Sequence, residues 1–147
     1  EESVELVRQA KLKGINATAD VAIANLVGSE SDVESYNTAY KVLPPLRSES
    51  DQMALWAGLF DGTIDLVVSD HDPMDHELKN CEWGSASFGA ATIERTFGWF
   101  MAKQSSEDAL ELWVESVAHR ARRIFGLGTV TVNIGSPADF TLFRLDG

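Results

Sequence analysis

The sequence is poor in cysteine, histidine and positive charge. Its single cysteine, Cys81, cannot form an internal disulfide, and three histidines, His71, His76 and His119, are too few for a Cys/His zinc module. A reducing compartment, the cytoplasm, is the expectation. Twelve Lys+Arg against 23 Asp+Glu leave a net charge of −11. That argues against nucleic acid as the main partner, because phosphate binding runs on clustered Lys and Arg. No apolar run approaches the ~20 residues that a bilayer crossing needs. The opening Glu1-Glu2-Ser3-Val4 lacks an initiator Met and any basic or apolar export segment, and reads as a helix entry. No membrane partner is expected, and there is no internal repeat or low-complexity tract.

What is present is an ordinary globular composition. With 44% hydrophobic and 24% charged residues, the chain is too apolar for a disordered acidic segment, so a packed core is expected. Its 147 residues fit one domain or a portion of a larger barrel.

Hydrophobic periodicity supplies the element order. Val4, Val7 and Ala10 recur every three positions before Gly14, which predicts a short amphipathic helix over 3–12. From Ile15 to Ile23 apolar and polar residues alternate, which predicts a strand. Positions 24–50, broken by Gly28 and Pro44-Pro45, read as a long ordered loop. Ser48 with Asp51 predicts a capped helix whose apolar face is Met53, Trp56, Ala57 and Phe60, ended by Asp61-Gly62. Ile64 to Val68 reads as a strand buried on both faces of a parallel sheet. After a polar loop over 71–88, helices are predicted over 90–101 and 106–125. The second has Ser105 and Asp108 placed for a cap and Leu110, Trp113, Val114 and Val117 on its apolar side. Trp56, Trp99 and Trp113 should be core and Trp83 exposed. Thr129–Asn133 and Phe140–Leu145 read as closing strands joined through Gly135-Ser136-Pro137.

This order is α/β, and in such folds chemistry sits at the carboxyl ends of strands. Asp70 occupies such an end. A carboxylate there can ligate a divalent metal and take a proton from water, or it can simply cap the following loop; the pattern alone leaves both roles open. His71 and His76 share a loop with Asp70, Asp72 and Asp75, yet no ligand triad has standard zinc spacing. Cys81 has no histidine assignable as its base.

The run Lys41-Val42-Leu43-Pro44-Pro45-Leu46-Arg47, then Asp61-Gly62-Thr63-Ile64-Asp65, then Ser69-Asp70-His71-Asp72-Pro73 resembles the second half of dihydroorotases of the amidohydrolase superfamily. Phe88-Gly89, Ile93-Glu94, Ile124-Phe125-Gly126-Leu127 and Gly135-Ser136-Pro137-Ala138-Asp139 continue the resemblance over nearly the whole chain. It implies the C-terminal part of a (β/α)8 TIM-type metal-dependent hydrolase barrel over residues 1–126. Strands of a small flanking β element would follow over 127–147. It also implies one or two zinc ions with most ligands upstream of residue 1. The remainder of the same subunit, exceeding ~250 residues in all, would be a necessary partner, and a homodimer a family expectation.

The implied activity is interconversion of dihydroorotate and N-carbamoyl-aspartate in pyrimidine biosynthesis. Metal-bound hydroxide attacks a ring carbonyl, and an aspartate at the end of the last barrel strand binds metal and shuttles the proton; by motif position this is Asp70. The family's substrate-binding positions fall partly on altered residues. Leu43 stands where many members have Asn, Met74 where many have a substrate-binding His, and Ala24-Asn25 where adjacent histidines are common. Arg47 and backbone N–H groups near Gly89 remain as polar contacts for the orotate carboxylate. Two further readings follow from these departures: a hydantoinase-like cyclic amide specificity, and a non-catalytic homologue acting as an assembly or regulatory scaffold.

Overall fold

Helix α1 (Glu2–Leu12) places Glu2 and Glu5 in its first turn and Lys11 in its last, complementing the helix dipole at both ends. The computed structural model describes residues 1–104 and 106–144. Strand β1 (Asp20–Ala22) pairs in parallel with β2 (Leu66–Val68), in the register Asp20 to Leu66, Val21 to Val67 and Ala22 to Val68. Lys11 stitches the helix to this sheet, its Nζ donating to Asp65 Oδ2 at 2.7 Å and to the Gly62 carbonyl at 3.1 Å. The same Asp65 oxygen accepts from the Ala19 amide at 2.9 Å, so one carboxylate fixes both strand entries.

The expected strand over 15–23 is shorter than its alternation suggests. Burial alternates through Ala17, Ala19 and Val21, but Ala22 and Ile23 are both buried and Ile23 already opens helix α2 (Ile23–Val27). Contact with the helices over Glu49–Phe60 and Thr96–Lys103 turns this segment into a helix where local alternation favoured a strand. The loop expected over 24–50 therefore contains α2 and two 3₁₀ turns, Glu30–Val33 and Thr38–Tyr40. Its Leu43–Pro44 peptide is cis.

Helix α3 (Glu49–Phe60) begins as expected: Ser48 Oγ accepts from the Asp51 amide at 3.2 Å, satisfying an otherwise orphaned donor. Its buried side differs from the predicted one. Trp56, Gly58 and Leu59 face inward, whereas Met53, Ala57 and Phe60 are exposed. Gly58 sets that orientation, since a Cβ there would stand 2.8 Å from Val4 Cγ1 and push α1 off α3. Trp56 also donates from Nε1 to the Leu26 carbonyl at 2.9 Å, so this large side chain closes the gap to α2 without burying an unpaired donor.

The polar loop over 71–88 contains a short helix, α4 (His76–Lys79). Helix α5 (Thr96–Lys103) starts six residues later than the predicted helix over 90–101. The reason is local: the amides of Thr92 and Ile93 donate to His71 Nδ1 at 3.0 and 3.2 Å, and Thr92 Oγ1 to the Ser69 carbonyl at 2.7 Å. Those bonds commit residues 90–93 to the end of β2.

Helix α6 (Glu107–Val114) is capped by Ser106, whose Oγ accepts from the Ala109 amide at 3.1 Å; Ser105 lies outside the described residues. It runs on through a π-helical segment, Glu115–His119, into α7 (Arg120–Ile124). The core side carries Ala109, Leu112 and Ser116, flanked by half-buried Trp113 and Val117, while Val114 is exposed. The predicted face was thus offset, because the small Ala109 sits against the aromatic core. Phe100 is fully buried there, with ring centroids 4.9 Å from Trp56 and 5.0 Å from Trp113. Trp99 packs against this core, as expected, but Trp83 is half-buried, not exposed.

Neither closing strand is formed among the described residues. Positions 129–144 are irregular, and Leu145, the last of the second expected strand, lies outside the described residues. An extended segment with no neighbouring edge to pair with gains no ladder hydrogen bonds, whatever its alternation. No helix among the described residues is long and apolar enough to cross a membrane.

Candidate active site

The two parallel strands deliver their carboxyl ends side by side, and the candidate residues gather there. Asp70 follows β2 with φ +47°, the left-handed region that Asp and Asn tolerate best among non-glycine residues. Its side chain is exposed at the strand end. A small cleft of about 40 Å³ joins Asp70 to Leu43, Asp72, Gly89 and Thr92, with Ala24 from the first turn of α2 in its wall.

Gly89 is demanded by this geometry. It has φ +119°, and a Cβ there would stand 2.4 Å from the Asp72 carbonyl oxygen and 2.8 Å from Asp72 Oδ2. Its amide donates to the Lys41 carbonyl at 3.1 Å, and the Asp72 amide donates to the Ala90 carbonyl at 3.0 Å. The Gly89 N–H is therefore engaged within the protein. Asn25, standing where relatives of the resembled family often have histidine, donates from Nδ2 to the Pro45 carbonyl at 3.1 Å and so ties the β1 end to the Pro-Pro turn.

Of the five positions marked in the sequence, three converge. Asp70, Leu43 and Gly89 share the cleft. Met74 is half-buried and lines a separate cavity that also touches Gly89. Arg47 is exposed, and its carbonyl accepts from the Glu30 amide at 2.8 Å.

Two lysines outside the cleft lining hold the backbone of its wall, and neither is singled out by the sequence pattern. Lys41 is only 8% exposed and has no ion pair among the described residues. Its Nζ donates to the carbonyls of Trp83, at 2.6 Å, and Ala86, and lies 4.9 Å from the Phe88 ring centroid. Lys79 Nζ donates to the carbonyls of Lys41, Ser87 and Gly89 at 3.2, 3.0 and 2.9 Å. Burial first, then the neighbouring Lys41 charge, holds Lys79 below the usual lysine range. Two lysines thus pin residues 83–89 by their backbone, and Gly89 with them.

Asp70 has the chemistry of one zinc ligand, an exposed carboxylate at a strand end. The described residues do not complete a set: no group of three or more His, Cys, Asp or Glu comes together. His71, adjacent to Asp70, accepts at Nδ1 from the Thr92 and Ile93 amides.

No family model matches the chain. It is 40% identical over 147 residues to the dihydroorotase of Lactobacillus leichmannii and 37% identical over 147 residues to that of Bacillus subtilis. Each match takes in 99% of this chain and 34% of the relative, so the chain spans about a third of the length of these curated relatives. Among solved structures, the L-hydantoinase (dihydropyrimidinase) of Arthrobacter aurescens superposes with a TM-score of 0.83 at 29% identity, over 94% of this chain and 32% of that one. The D-hydantoinase of a Thermus species gives 0.79 at 26%, over 95% and 32%. The chain is thus similar to one portion of proteins of the amidohydrolase superfamily, the class that holds these hydantoinases. Within that class, the chain is a homologue of the dihydroorotases and matches the C-terminal part of these longer proteins.

Proposed function

We propose that the longer protein to which this chain corresponds interconverts dihydroorotate and N-carbamoyl-aspartate, with Asp70 as its acid–base group. The observation that carries this reading is the Asp70 carboxylate at the β2 end, sharing a cleft with Leu43 and Gly89, in a chain 40% identical to dihydroorotases. In the hydrolytic direction, an Asp70 Oδ atom accepts a proton from the attacking water as the water oxygen bonds to the ring carbonyl carbon. The C–N bond then breaks, and the same carboxyl group returns the proton to the departing nitrogen. Leu43 lends the cleft apolar lining, and the pinned Gly89–Ala90 backbone lines it as well.

On this reading residues 1–126 belong to a (β/α)8 barrel closed by the rest of the subunit, and 127–147 to a flanking β element whose partner strands come from elsewhere. Asp70 would be one zinc ligand, the others lying outside this chain; zinc, when bound, supplies Lewis-acid polarisation of the carbonyl and of water. A cytoplasmic homodimer working in pyrimidine biosynthesis completes the proposal.

The test is steady-state turnover of dihydroorotate and of hydantoin by the zinc-loaded full-length protein. Dihydroorotate should be preferred. Preference for hydantoin would shift the specificity to the other branch of the class, and turnover of neither by a zinc-bound sample would overturn the enzymatic reading in favour of a scaffold.

A further inference from the structure

Of five surface cavities among the described residues, four have a carboxylate in the wall: Asp32 in one, Glu30 and Glu34 in a second, Asp70 with Asp72 in a third, Asp20 with Asp70 in a fourth. The fifth, about 440 Å³, has none. Its wall instead carries His76, Lys79 and Arg95, together with the amides of Asn37 and Asn80. In a chain of net charge −11, three basic side chains around one carboxylate-free cavity form a local exception to the overall field.

The three basic side chains differ in what they have left to give. Lys79 spends its donors on the carbonyls of Lys41, Ser87 and Gly89, so it contributes charge without a free N–H. The exposed side chains of Arg95 and His76 have no hydrogen bond or ion pair among the described residues. Arg95 is held at the start of α5 by its backbone, its amide donating to the Thr92 carbonyl at 2.9 Å. Its guanidinium therefore remains a free fork suited to planar oxyanions. Half-buried Trp99 supplies an apolar floor, and the Gly89–Ala90 wall is common to this cavity and to the Asp70 cleft.

We infer that this cavity binds a small oxyanion, a carboxylate or phosphate group, contacted by Arg95 and His76 with the Lys79 charge behind them. Such a group has two possible sources: a carboxylate carried by the molecule reacting at Asp70, or a free anion that occupies the neighbouring pocket. The first source rests on the proposed function; the second does not.

The experiment is calorimetric titration of the full-length protein with inorganic phosphate and with succinate at constant ionic strength. It is run on the wild type, Arg95→Gln, His76→Gln and, as a control, Arg122→Gln, whose side chain bonds the Gly128 carbonyl away from this cavity. Saturable binding is expected in the wild type and in Arg122→Gln, weakened roughly tenfold in Arg95→Gln as one charge-assisted contact is lost. No saturable binding of either anion, or binding that Arg95→Gln and His76→Gln both leave unchanged, overturns the inference. Kinetics separate the sources. A KM raised in Arg95→Gln for dihydroorotate, which carries a carboxylate, and unchanged for uncharged hydantoin assigns the anion to the substrate; unchanged KM for both with weakened phosphate binding assigns it to a free ligand. Turnover without anion binding defeats this inference and spares the hydrolase reading, whereas Arg95-dependent anion binding without turnover does the reverse.

Discussion

Phe100 and Lys41 are both buried, and their surroundings are opposites. Phe100 is enclosed by the rings of Trp56 and Trp113, in a core shared by α3, α5 and α6. Lys41 is enclosed by the carbonyls of Trp83 and Ala86 and by the Phe88 ring, in the loops beyond the strand ends. The helical region is thus held by non-directional apolar contact, and the loop region by directional bonds from lysine to backbone. Apolar burial is non-directional, whereas a wall that must stand against Asp72 and beside Asp70 is fixed in position by directional bonds. Stability and site geometry are therefore carried by different side chains.

Substitutions that act on one region only can break this comparison. Phe100→Ala should have the largest effect on stability, about 3–5 kcal/mol from lost transfer free energy plus the cavity left behind, read by denaturant unfolding of the full-length protein. Lys41→Met keeps the length of the side chain but removes the donors from the carbonyls of Trp83 and Ala86. A loss of about 2–3 kcal/mol is expected, with hydrogen exchange accelerated at 83–89 ahead of the helices. Exchange accelerated equally throughout would show that the two regions are one cooperative unit.

The smallest expected effect lies on the outer surface, where Arg8 Nη2 meets Asp61 Oδ2 at 2.7 Å. Burial alone would raise the Asp61 pKa, but hydrogen bonds from Thr63 and from Arg8 outweigh it and hold the carboxyl below its ordinary range. A carboxylate with a lowered folded pKa contributes stability above its unfolded pKa, and that contribution is lost as pH falls through the folded value. Arg8→Gln should therefore flatten the acid side of the stability profile slightly, and added salt should diminish the difference between variant and wild type.

Local signals were legible wherever local chemistry decided the outcome. Ser48 as a cap, Asp61-Gly62 as a helix end, the buried β2 strand and Asp70 at its end are all readable from neighbours in sequence. The start of α5 was not, because His71 holds the Thr92 and Ile93 amides from 22 residues away or less. Nor was the burial of Lys41, which depends on carbonyls more than 40 residues downstream. A lysine beside an aromatic-bearing loop, Trp83 and Phe88 in this chain, was the only available hint. In sequence His76 reads only as a member of an acidic loop and Arg95 carries no signal, and only the folded cavity brings the two together.

The most direct measurement compares wild type with Asp70→Asn in the full-length protein. Alanine is the poorer probe, since at φ +47° it would add backbone strain of about 1–2 kcal/mol, whereas Asn accepts this conformation and keeps the side-chain shape. The account predicts an unchanged melting temperature and a kcat for dihydroorotate lower by roughly 10²–10⁴-fold, the range expected when a positioned acid–base group is lost. Undiminished kcat in a folded Asp70→Asn protein would contradict it.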